Sequence, residues 1–218
     1  MNELYPKQKQ RFKEAYATGT DKWSNNTYVQ EGISFLQRLP HNTTVLDIGS
    51  GRGNWTYTMA DLGMKVIGLD YIPELIERNN ADVKLRGYAG RVAFMAGDVF
   101  NIPLQDKTID IVTDFNTLQH IHPNDWNLYT QEVLRVLKPG GFILLVQLSK
   151  MTETFINFEP RASKTGNFEI HGFHYHFFTK EEFQDMFGED CSIVRSEVHT
   201  FPHMDNHRYI FTLLQKKA

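Results

Sequence analysis

A chain of 218 residues can bury one continuous hydrophobic core, and we expect a single domain. Hydrophobic residues make up 41% and charged residues 22%, which excludes the composition of a disordered chain. Lys and Arg total 23 against 26 Asp and Glu, a net charge of −3, so no overall positive field attracts a phosphate backbone and we expect no nucleic-acid partner.

We expect no targeting signal and no internal disulfide. No apolar run approaches the roughly 20 residues that span a bilayer, and the first residues lack the apolar stretch of a signal peptide. Cys191 is the single cysteine, so the chain forms no internal disulfide. We expect a cytoplasmic protein with no membrane contact.

The N-terminal half alternates predicted strands with predicted helices. Spaced aromatic and aliphatic residues between 6 and 39, interrupted at 19–21, predict two helices. A short apolar strand at 45–48 enters a glycine-rich turn at 49–53, and a helix follows over 54–62. A second strand at 65–70 precedes a helix at 73–85, whose first turn carries Pro73.

Three more strands are predicted at 91–95, 109–113 and 142–146. The helix over 124–137 is predicted to stop at the Pro-Gly-Gly segment 139–141. A loop-rich insertion occupies about 150–171, and a helix then begins with Thr179 as N-cap and Glu182 completing a capping box. Two β-like stretches, 191–200 and 207–215, are predicted to pair as a hairpin. This alternation indicates a parallel sheet with a ligand cleft beyond the carboxyl ends of its strands.

The glycine turn gives the first indication of the ligand. Its spacing is G-x-G-x-G, and a dinucleotide fingerprint would need glycine where Asn54 stands. Asp47 lies two residues before the first glycine and suits a ligand that carries positive charge. The turn therefore favours a cationic ligand without phosphate over a dinucleotide.

Four ordered segments, at 45–53, Asp70, 97–99 and 134–141, make the chain similar to the class I S-adenosylmethionine-dependent methyltransferases. The similarity spans about 43–146 and is greatest to the small-molecule branch. It implies an α/β fold, a three-layer Rossmann-like sandwich whose seven-stranded, mostly parallel sheet has the order 3-2-1-4-5-7-6 with strand 7 antiparallel, under an N-terminal helical lid. It also implies S-adenosylmethionine as cofactor and S-adenosylhomocysteine as product.

The resemblance assigns roles to several residues of the strand ends. It implies that Gly49 and Gly51 face the methionine portion of the cofactor and that Asp47 belongs to the same motif. It implies that Asp70 accepts hydrogen bonds from both ribose hydroxyls, while Asp98 accepts one from the adenine amine.

Five further cofactor contacts are implied. Tyr71 and Ile72 would flank the adenine ring, and Val99 would offer it a backbone N–H. The carbonyl of Asn116 would hold the ammonium group. Trp23 lies in a stretch that resembles the lid of small-molecule members, where it would cover the cofactor; the alternative is an aromatic residue of the core.

Catalytic candidates come from the strand-4 end and from the insertion. Methyl transfer from a sulfonium is an in-line displacement, so a base is needed only for a protonated acceptor. His120 follows strand 4, and His174 and Tyr175 lie in a stretch of histidines and aromatics; each lines the acceptor site or has a structural role. His174 and His176 share a strand face but have no carboxylate or cysteine partner at a spacing diagnostic of a metal site, so we expect no metal.

Several functions remain open at this stage. We expect methyl transfer to a small-molecule acceptor; the alternatives are a protein or RNA methyltransferase, a non-catalytic S-adenosylmethionine-binding module and an NAD-dependent oxidoreductase. We expect one domain over 1–218, divided into a helical cap (1–40), a cofactor-binding core (43–148), a substrate-side insertion (150–178) and a C-terminal helix with hairpin (179–218). The protein is predicted to be a monomer or a homodimer.

Overall fold

The computed structural model describes residues 2–24, 29–152, 166–170, 172–201 and 207–218. The strands of these residues are β1 (Thr44–Ile48), β2 (Lys65–Asp70), β3 (Val92–Ala96), β4 (Ile109–Phe115), β5 (Leu137–Leu148), β6 (Asn167–Ile170), β7 (Phe173–His176), β8 (Cys191–Phe201) and β9 (His207–Lys216). The helices are α1 (Leu4–Thr18), α2 (Val29–Leu36), α3 (Asn54–Asp61), α4 (Pro73–Leu85), α5 (Trp126–Val136) and α6 (Lys180–Phe187).

Seven strands form one sheet in the order β3-β2-β1-β4-β5-β9-β8. Strands β1 to β5 pair in parallel, and β9 runs antiparallel to both of its neighbours. The predicted order 3-2-1-4-5-7-6 is confirmed, with β9 as strand 7 and β8 as strand 6. The predicted pairing of the last two strands is confirmed as well.

Helices cover both faces of the sheet and bury its central strands. Apolar residues of α2, α3 and α4 pack on one face, and those of α5 and α6 pack on the other. Leu144 and Leu145 of β5 are fully buried on opposite faces, as expected for a continuous apolar strand in mid-sheet. The sandwich therefore has the three layers that were predicted.

Short β6 and β7 form a separate antiparallel hairpin. The sequence predicted a loop-rich insertion over this region, of which 153–165 and His171 lie outside the described residues. The amide of Phe178 donates to the carbonyl of Leu148, so the chain leaving this hairpin returns to the carboxyl end of β5. The hairpin thus lies beside the edge where the parallel strands end.

Two local predictions have different outcomes. The capping box of α6 is confirmed, because Thr179 Oγ1 accepts from the amide of Glu182 and Glu182 Oε2 accepts from the amide of Thr179. The helix that was predicted to stop at 139–141 does end before this segment, at Val136, but the segment itself belongs to β5, which pairs with β4 from Leu137 through an irregularity in register. Gly140 has a φ of +74°, which lets the strand absorb the extra residues. Among the described residues, no helix is long and apolar enough to cross a membrane.

Candidate functional site

A glycine turn leads from β1 into α3 and brings the backbone to the edge of a cavity. Gly49 and Gly51 have φ values of +64° and +53°, in the left-handed region that glycine adopts without strain. A Cβ atom at Gly49 would lie 1.9 Å from Thr117 Oγ1, and one at Gly51 would lie 2.6 Å from the hydroxyl of Tyr16. The turn thus needs glycine for both its conformation and its space.

The cavity has a volume of about 390 Å³ and lies beyond the carboxyl ends of the parallel strands. Helix α1 forms its roof, since five residues of that helix line it. The lining residues that matter for the chemistry come from the glycine turn, from α1, from β7, from the end of β2 and from the segments that follow α1, β2, β3 and β4. They are Gly49, Gly51, Asp70, Tyr71, Val99, Asn116, Gln119, His120, Trp23, Phe12 and Tyr175.

Asp70 at the end of β2 is the buried carboxylate of this cavity. Its Oδ2 accepts from the amide of Gly51 at 3.0 Å, and its Oδ1 accepts from the amide of Ile72 at 3.1 Å. Burial raises the pKa of Asp70 to about 6, and these backbone hydrogen bonds oppose the rise. The carboxylate is held rigidly at the cavity wall with lone pairs left for a ligand.

Asp47, the acid of the predicted motif, lies inside β1 below the turn, away from the cavity lining. Its Oδ2 accepts from Thr56 at 2.6 Å and its Oδ1 accepts from Thr113 at 3.2 Å. Burial raises the pKa of Asp47 to about 7, against the effect of both threonine hydroxyls. These two hydrogen bonds link the end of β1 to α3 and β4.

Asp98 sits behind the lining and is held by helix α1. Its Oδ1 accepts from the hydroxyl of Tyr5 and its Oδ2 accepts from Lys9 Nζ, each at 2.8 Å. Burial opposes ionisation, but these bonds and the amide of Phe100 lower the pKa of Asp98. The Lys9 ammonium also lies 4.7 Å from the ring centre of Tyr71, which lines the cavity. The predicted adenine-binding acid therefore also anchors the roof.

Four other predicted residues occupy different positions around the cavity. Val99 lines it, whereas Ile72 is buried and contributes its amide to Asp70. Asn116 lines it from the end of β4, with an unusual φ of +73° for a residue other than glycine. Trp23 lines it from a short 3-10 turn and donates its indole N–H to the hydroxyl of Tyr16 at 3.0 Å.

His120 has one defined tautomer. Its Nδ1 lies 2.8 Å from the carbonyl oxygen of His174, so Nδ1 carries the proton and Nε2 carries a lone pair. The amide of Leu148 donates to Gln119 Oε1, which leaves Gln119 Nε2 as a donor 3.4 Å from His120 Nε2. Burial lowers the pKa of His120 to about 4, and the bond to the carbonyl opposes the shift only in part. The imidazole is neutral at pH 7 and can accept a proton.

The other two catalytic candidates differ in placement. Tyr175 lines the cavity, with its ring centre 4.6 Å from that of His120. The imidazole of His174 lies outside the lining and packs at a tilt against His122, with ring centres 5.2 Å apart. Only the carbonyl of His174 reaches the site. His176 pairs with Glu182, and among the described residues no cluster of histidine, cysteine and acidic side chains could hold a metal ion.

Sequence inspection did not assign a role to Gln8 or Phe12, two of the three further residues that structure the cavity. Gln8 binds the backbone of both His120 and His174, Gln119 presents its amide beside the imidazole, and Phe12 covers that imidazole with ring centres 5.0 Å apart. The aromatic spacing of α1 could have indicated Phe12. No sequence signal marks Gln8, because its partners lie more than 100 residues away.

The arrangement matches known proteins along most of the chain. The model of a family described as a methyltransferase domain matches residues 39–190. A probable S-adenosylmethionine-dependent methyltransferase of Mycolicibacterium smegmatis is 34% identical over 119 residues, which span 53% of this chain and 43% of that protein. The chain thus matches less than half of that relative's length.

Two further similarities have lower identity. A tRNA N(3)-methylcytidine methyltransferase of Schizosaccharomyces pombe is 24% identical over 176 residues, 77% of this chain and 57% of that protein. A 1,6-didemethyltoxoflavin N1-methyltransferase of Burkholderia thailandensis, solved with 1,6-didemethyltoxoflavin and S-adenosylhomocysteine bound, has a TM-score of 0.77 at 22% identity, covering 96% of this chain and 87% of that one. The structural match supports the fold.

Proposed function

The chain belongs to the methyltransferase domain family, and from that premise we propose that it transfers a methyl group from S-adenosylmethionine to a small-molecule acceptor. The observation that carries this proposal is the presence of Asp70 and the His120 imidazole in one cavity beside the glycine turn. The Asp70 carboxylate can accept hydrogen bonds from a ribose, and the His120 imidazole can accept the proton of a protonated nucleophile. One cavity therefore holds groups for both the cofactor and the acceptor.

The residues of the cavity fit this cofactor. The left-handed turn leaves room where a Cβ at Gly49 or Gly51 would stand, and Ser50 Oγ is buried at the lining with no hydrogen-bond partner among the described residues. We propose that Asp70 accepts from the ribose hydroxyls and that the turn and Asn116 hold the methionine portion. S-adenosylmethionine supplies an activated methyl group on a sulfonium.

The adenine end would be formed by residues around the roof helix. We propose that Tyr71 and Val99 flank the ring and that Asp98 keeps one lone pair of Oδ2 for its amine beside Lys9. Ile72 would act through the amide that positions Asp70, and Asp47 through its support of the turn. Trp23 would shield the cofactor from solvent.

His120 would act as the general base. Its Nε2 would take the proton from the acceptor's N–H or O–H as that atom displaces the methyl group from S-adenosylmethionine, which would leave as S-adenosylhomocysteine. The neutral imidazole is ready to do this at pH 7 because its proton sits on Nδ1, toward the carbonyl of His174. Tyr175 would position the acceptor against the imidazole.

A small acceptor is favoured over a macromolecule by the closure of the site. Helix α1 roofs the cavity, and the net charge of −3 offers no field for RNA. The tRNA methyltransferase among the relatives keeps RNA methylation as the second candidate. A protein acceptor and a non-catalytic binding module are the other outcomes that the experiment below separates.

The test is calorimetric titration with S-adenosylmethionine and S-adenosylhomocysteine, with NAD as the control ligand. Asp70→Asn should weaken both at least tenfold, while Asp185→Asn, a matched change at an exposed position of α6, should leave them unchanged. S-adenosylhomocysteine release is then measured with mixed small molecules, tRNA and protein. Binding without release under any acceptor supports the non-catalytic module; binding of NAD alone contradicts the proposal.

Domain organisation and location stay predictions. We propose that 1–218 folds as one unit with the cap, core, insertion and C-terminal divisions given above. Limited proteolysis that releases a stable fragment would contradict it. The monomer or homodimer is tested by light scattering, and the cytoplasmic location by fractionation.

A further inference from the structure

We infer that the acceptor site takes a flat, uncharged heteroaromatic ring that carries an N–H next to a ring carbonyl, a lactam edge. This inference rests on the proposed function and deepens it. The recognition would come from Gln119 and His120, which lie side by side in the cavity wall. The chemistry follows from three properties of this wall: its hydrogen-bonding pattern, its charge and its shape.

The hydrogen-bonding pattern is one donor beside one acceptor. The amide of Leu148 donates to Gln119 Oε1 at 3.1 Å, which turns Gln119 Nε2 toward the imidazole. The carbonyl of His174 takes the proton of His120 Nδ1, which leaves Nε2 as an acceptor. Backbone groups therefore fix both roles before any ligand arrives.

The two side-chain atoms are available to a ligand. Gln119 Nε2 and His120 Nε2 are 3.4 Å apart, which is long for a hydrogen bond and leaves a weak contact. A ligand N–H can replace it at the imidazole. The second hydrogen of the Gln119 amide has no other partner among the described residues and can donate to a carbonyl. A lactam edge presents those two groups in adjacent positions.

The charge of the wall excludes a charged acceptor. Lys9 is paired with Asp98 at 2.8 Å, and Arg52 is paired with Asp21 at 2.6 Å. Among the described lining residues, these two and Asp70 are the lysine, arginine and acidic side chains. With the uncharged thioether of S-adenosylhomocysteine in the cofactor site, a buried carboxylate or ammonium on the acceptor would thus lack an unpaired counter-charge among these side chains.

The shape of the wall suits a flat ring. Phe12 packs on His120 with ring centres 5.0 Å apart, and Tyr175 packs on it at 4.6 Å. Trp23 extends this surface from Phe12 at 5.3 Å. Aromatic faces of this kind gain most from a planar ligand, whose ring can stack or meet them edge to face.

The test uses three probes of one shape and measures binding, without turnover. Calorimetry is run with 2-quinolone, which has the lactam edge, with N-methyl-2-quinolone, which lacks the N–H, and with quinoline-2-carboxylate, which is an anion. Each is titrated into the protein saturated with S-adenosylhomocysteine. We expect 2-quinolone to bind, and the other two to bind at least tenfold more weakly, because each leaves a buried group unpaired.

Variants assign the contacts. His120→Ala should weaken 2-quinolone at least tenfold and leave its N-methyl analogue nearly unchanged, because that analogue has no N–H for the imidazole. Gln119→Ala should weaken both quinolones, because both keep the carbonyl, and His41→Ala, at an exposed loop position, should change neither. Equal binding of both quinolones, or tighter binding of the carboxylate, overturns the inference.

A parallel titration of the cofactor-free protein separates this inference from the proposed function. If S-adenosylhomocysteine fails to bind, the proposed function is wrong. The affinities of the three probes for the cofactor-free protein then still show whether the site prefers a lactam edge.

Discussion

The side-chain oxygen of Gln8 accepts a hydrogen bond of 2.7 Å from the amide of His174, which lies 166 residues further along the chain. Its side-chain nitrogen donates to the carbonyl of His120, also at 2.7 Å. One buried amide on α1 thus ties the roof of the cavity to both residues that fix the imidazole tautomer. The same two hydrogen bonds of Gln8 therefore hold α1 over the cavity and orient the candidate base.

We therefore predict that Gln8→Ala lowers the free energy of unfolding by about 1–3 kcal/mol, because it leaves two buried backbone groups unpaired. Hydrogen exchange should accelerate in α1 and at 172–176. Gln10→Ala is the matched control, since Gln10 is exposed on the same helix and its side chain donates to Glu14. Equal effects of the two substitutions would sink the idea that Gln8 holds the roof.

The glycine turn gives a second prediction, built on a pair of positions with similar backbones. Gly49 and Gly63 both have positive φ, but a Cβ meets Thr117 only at Gly49, and at Gly63 it meets nothing within 4 Å. Both alanine variants should lose roughly 1 kcal/mol to backbone strain. Only Gly49→Ala should also lose S-adenosylhomocysteine binding, at least tenfold by calorimetry; a matching loss in Gly63→Ala would show that strain alone causes it.

The pKa of His120 sets the pH dependence of stability. The native imidazole takes its proton near pH 4, and the unfolded one near pH 6.5, so the unfolded chain binds more protons between these values. This titration should therefore lower the free energy of unfolding as the pH falls from 6.5 toward 4, so the native state becomes less stable. Urea unfolding at pH 7 and pH 5 measures it.

His120→Asn removes this titration while keeping a side-chain donor near the carbonyl. The stability advantage of the unmodified protein over this variant should shrink between pH 7 and pH 5. The raised pKa of Asp70 acts in the opposite direction, but it is present in both proteins and cancels in the difference. A difference that stays constant with pH would contradict a low pKa for His120.

The ion pair between Arg52 and Asp21 gives the fourth prediction. Arg52 Nε and an Nη atom each donate to Asp21 at 2.6 Å, which fastens the turn that carries Trp23 to the glycine turn. The side chain of Asp21 is only 3% exposed. Arg52→Gln should lower the free energy of unfolding by about 1–3 kcal/mol, because it leaves a mostly buried carboxylate without its partner.

The control is Arg78→Gln, an exposed position of α4 with no ion pair among the described residues. It should change stability by less than about 0.5 kcal/mol. Raising the salt concentration should reduce the difference in free energy of unfolding between the two variants only slightly, because the ion pair is largely shielded from solvent. If both variants unfold alike, the pair contributes nothing to the closed roof.

Local sequence was sufficient for the frame of the site. The glycine turn, the acid at the end of β2 and the alternation of strands and helices are read from neighbours in the chain, since backbone conformation and one-sided burial depend on short-range patterns. Because parallel strands end at one edge, Gly49, Asp70 and Asn116 were expected to meet there, and all three line the cavity. The capping box of α6 followed from two residues three positions apart.

Local sequence could not separate residues that look alike. Asp47 and Asp70 are both acids near strand ends and point to the same face of the sheet, because Asp47 pairs with Gly68, two residues before Asp70. Asp47 lies inside β1 and contacts two threonines, whereas Asp70 ends β2 and lines the cavity. His174 and Tyr175 are neighbours in β7, and their side chains point to opposite faces because side-chain direction alternates along a strand. The ring of His174 contacts that of His122, and the ring of Tyr175 contacts that of His120.

What the sequence alone determined is the α/β sandwich and the cofactor edge, because these depend on residues close together in the chain. What only the tertiary structure decided is the state of the acceptor wall: which nitrogen of His120 carries the proton, which way the Gln119 amide points, and which residue closes the roof. Each depends on a backbone group 29 to 112 residues away. A hydrogen bond has a direction and a length, and no pattern of residue types specifies which distant carbonyl will stand within 3 Å.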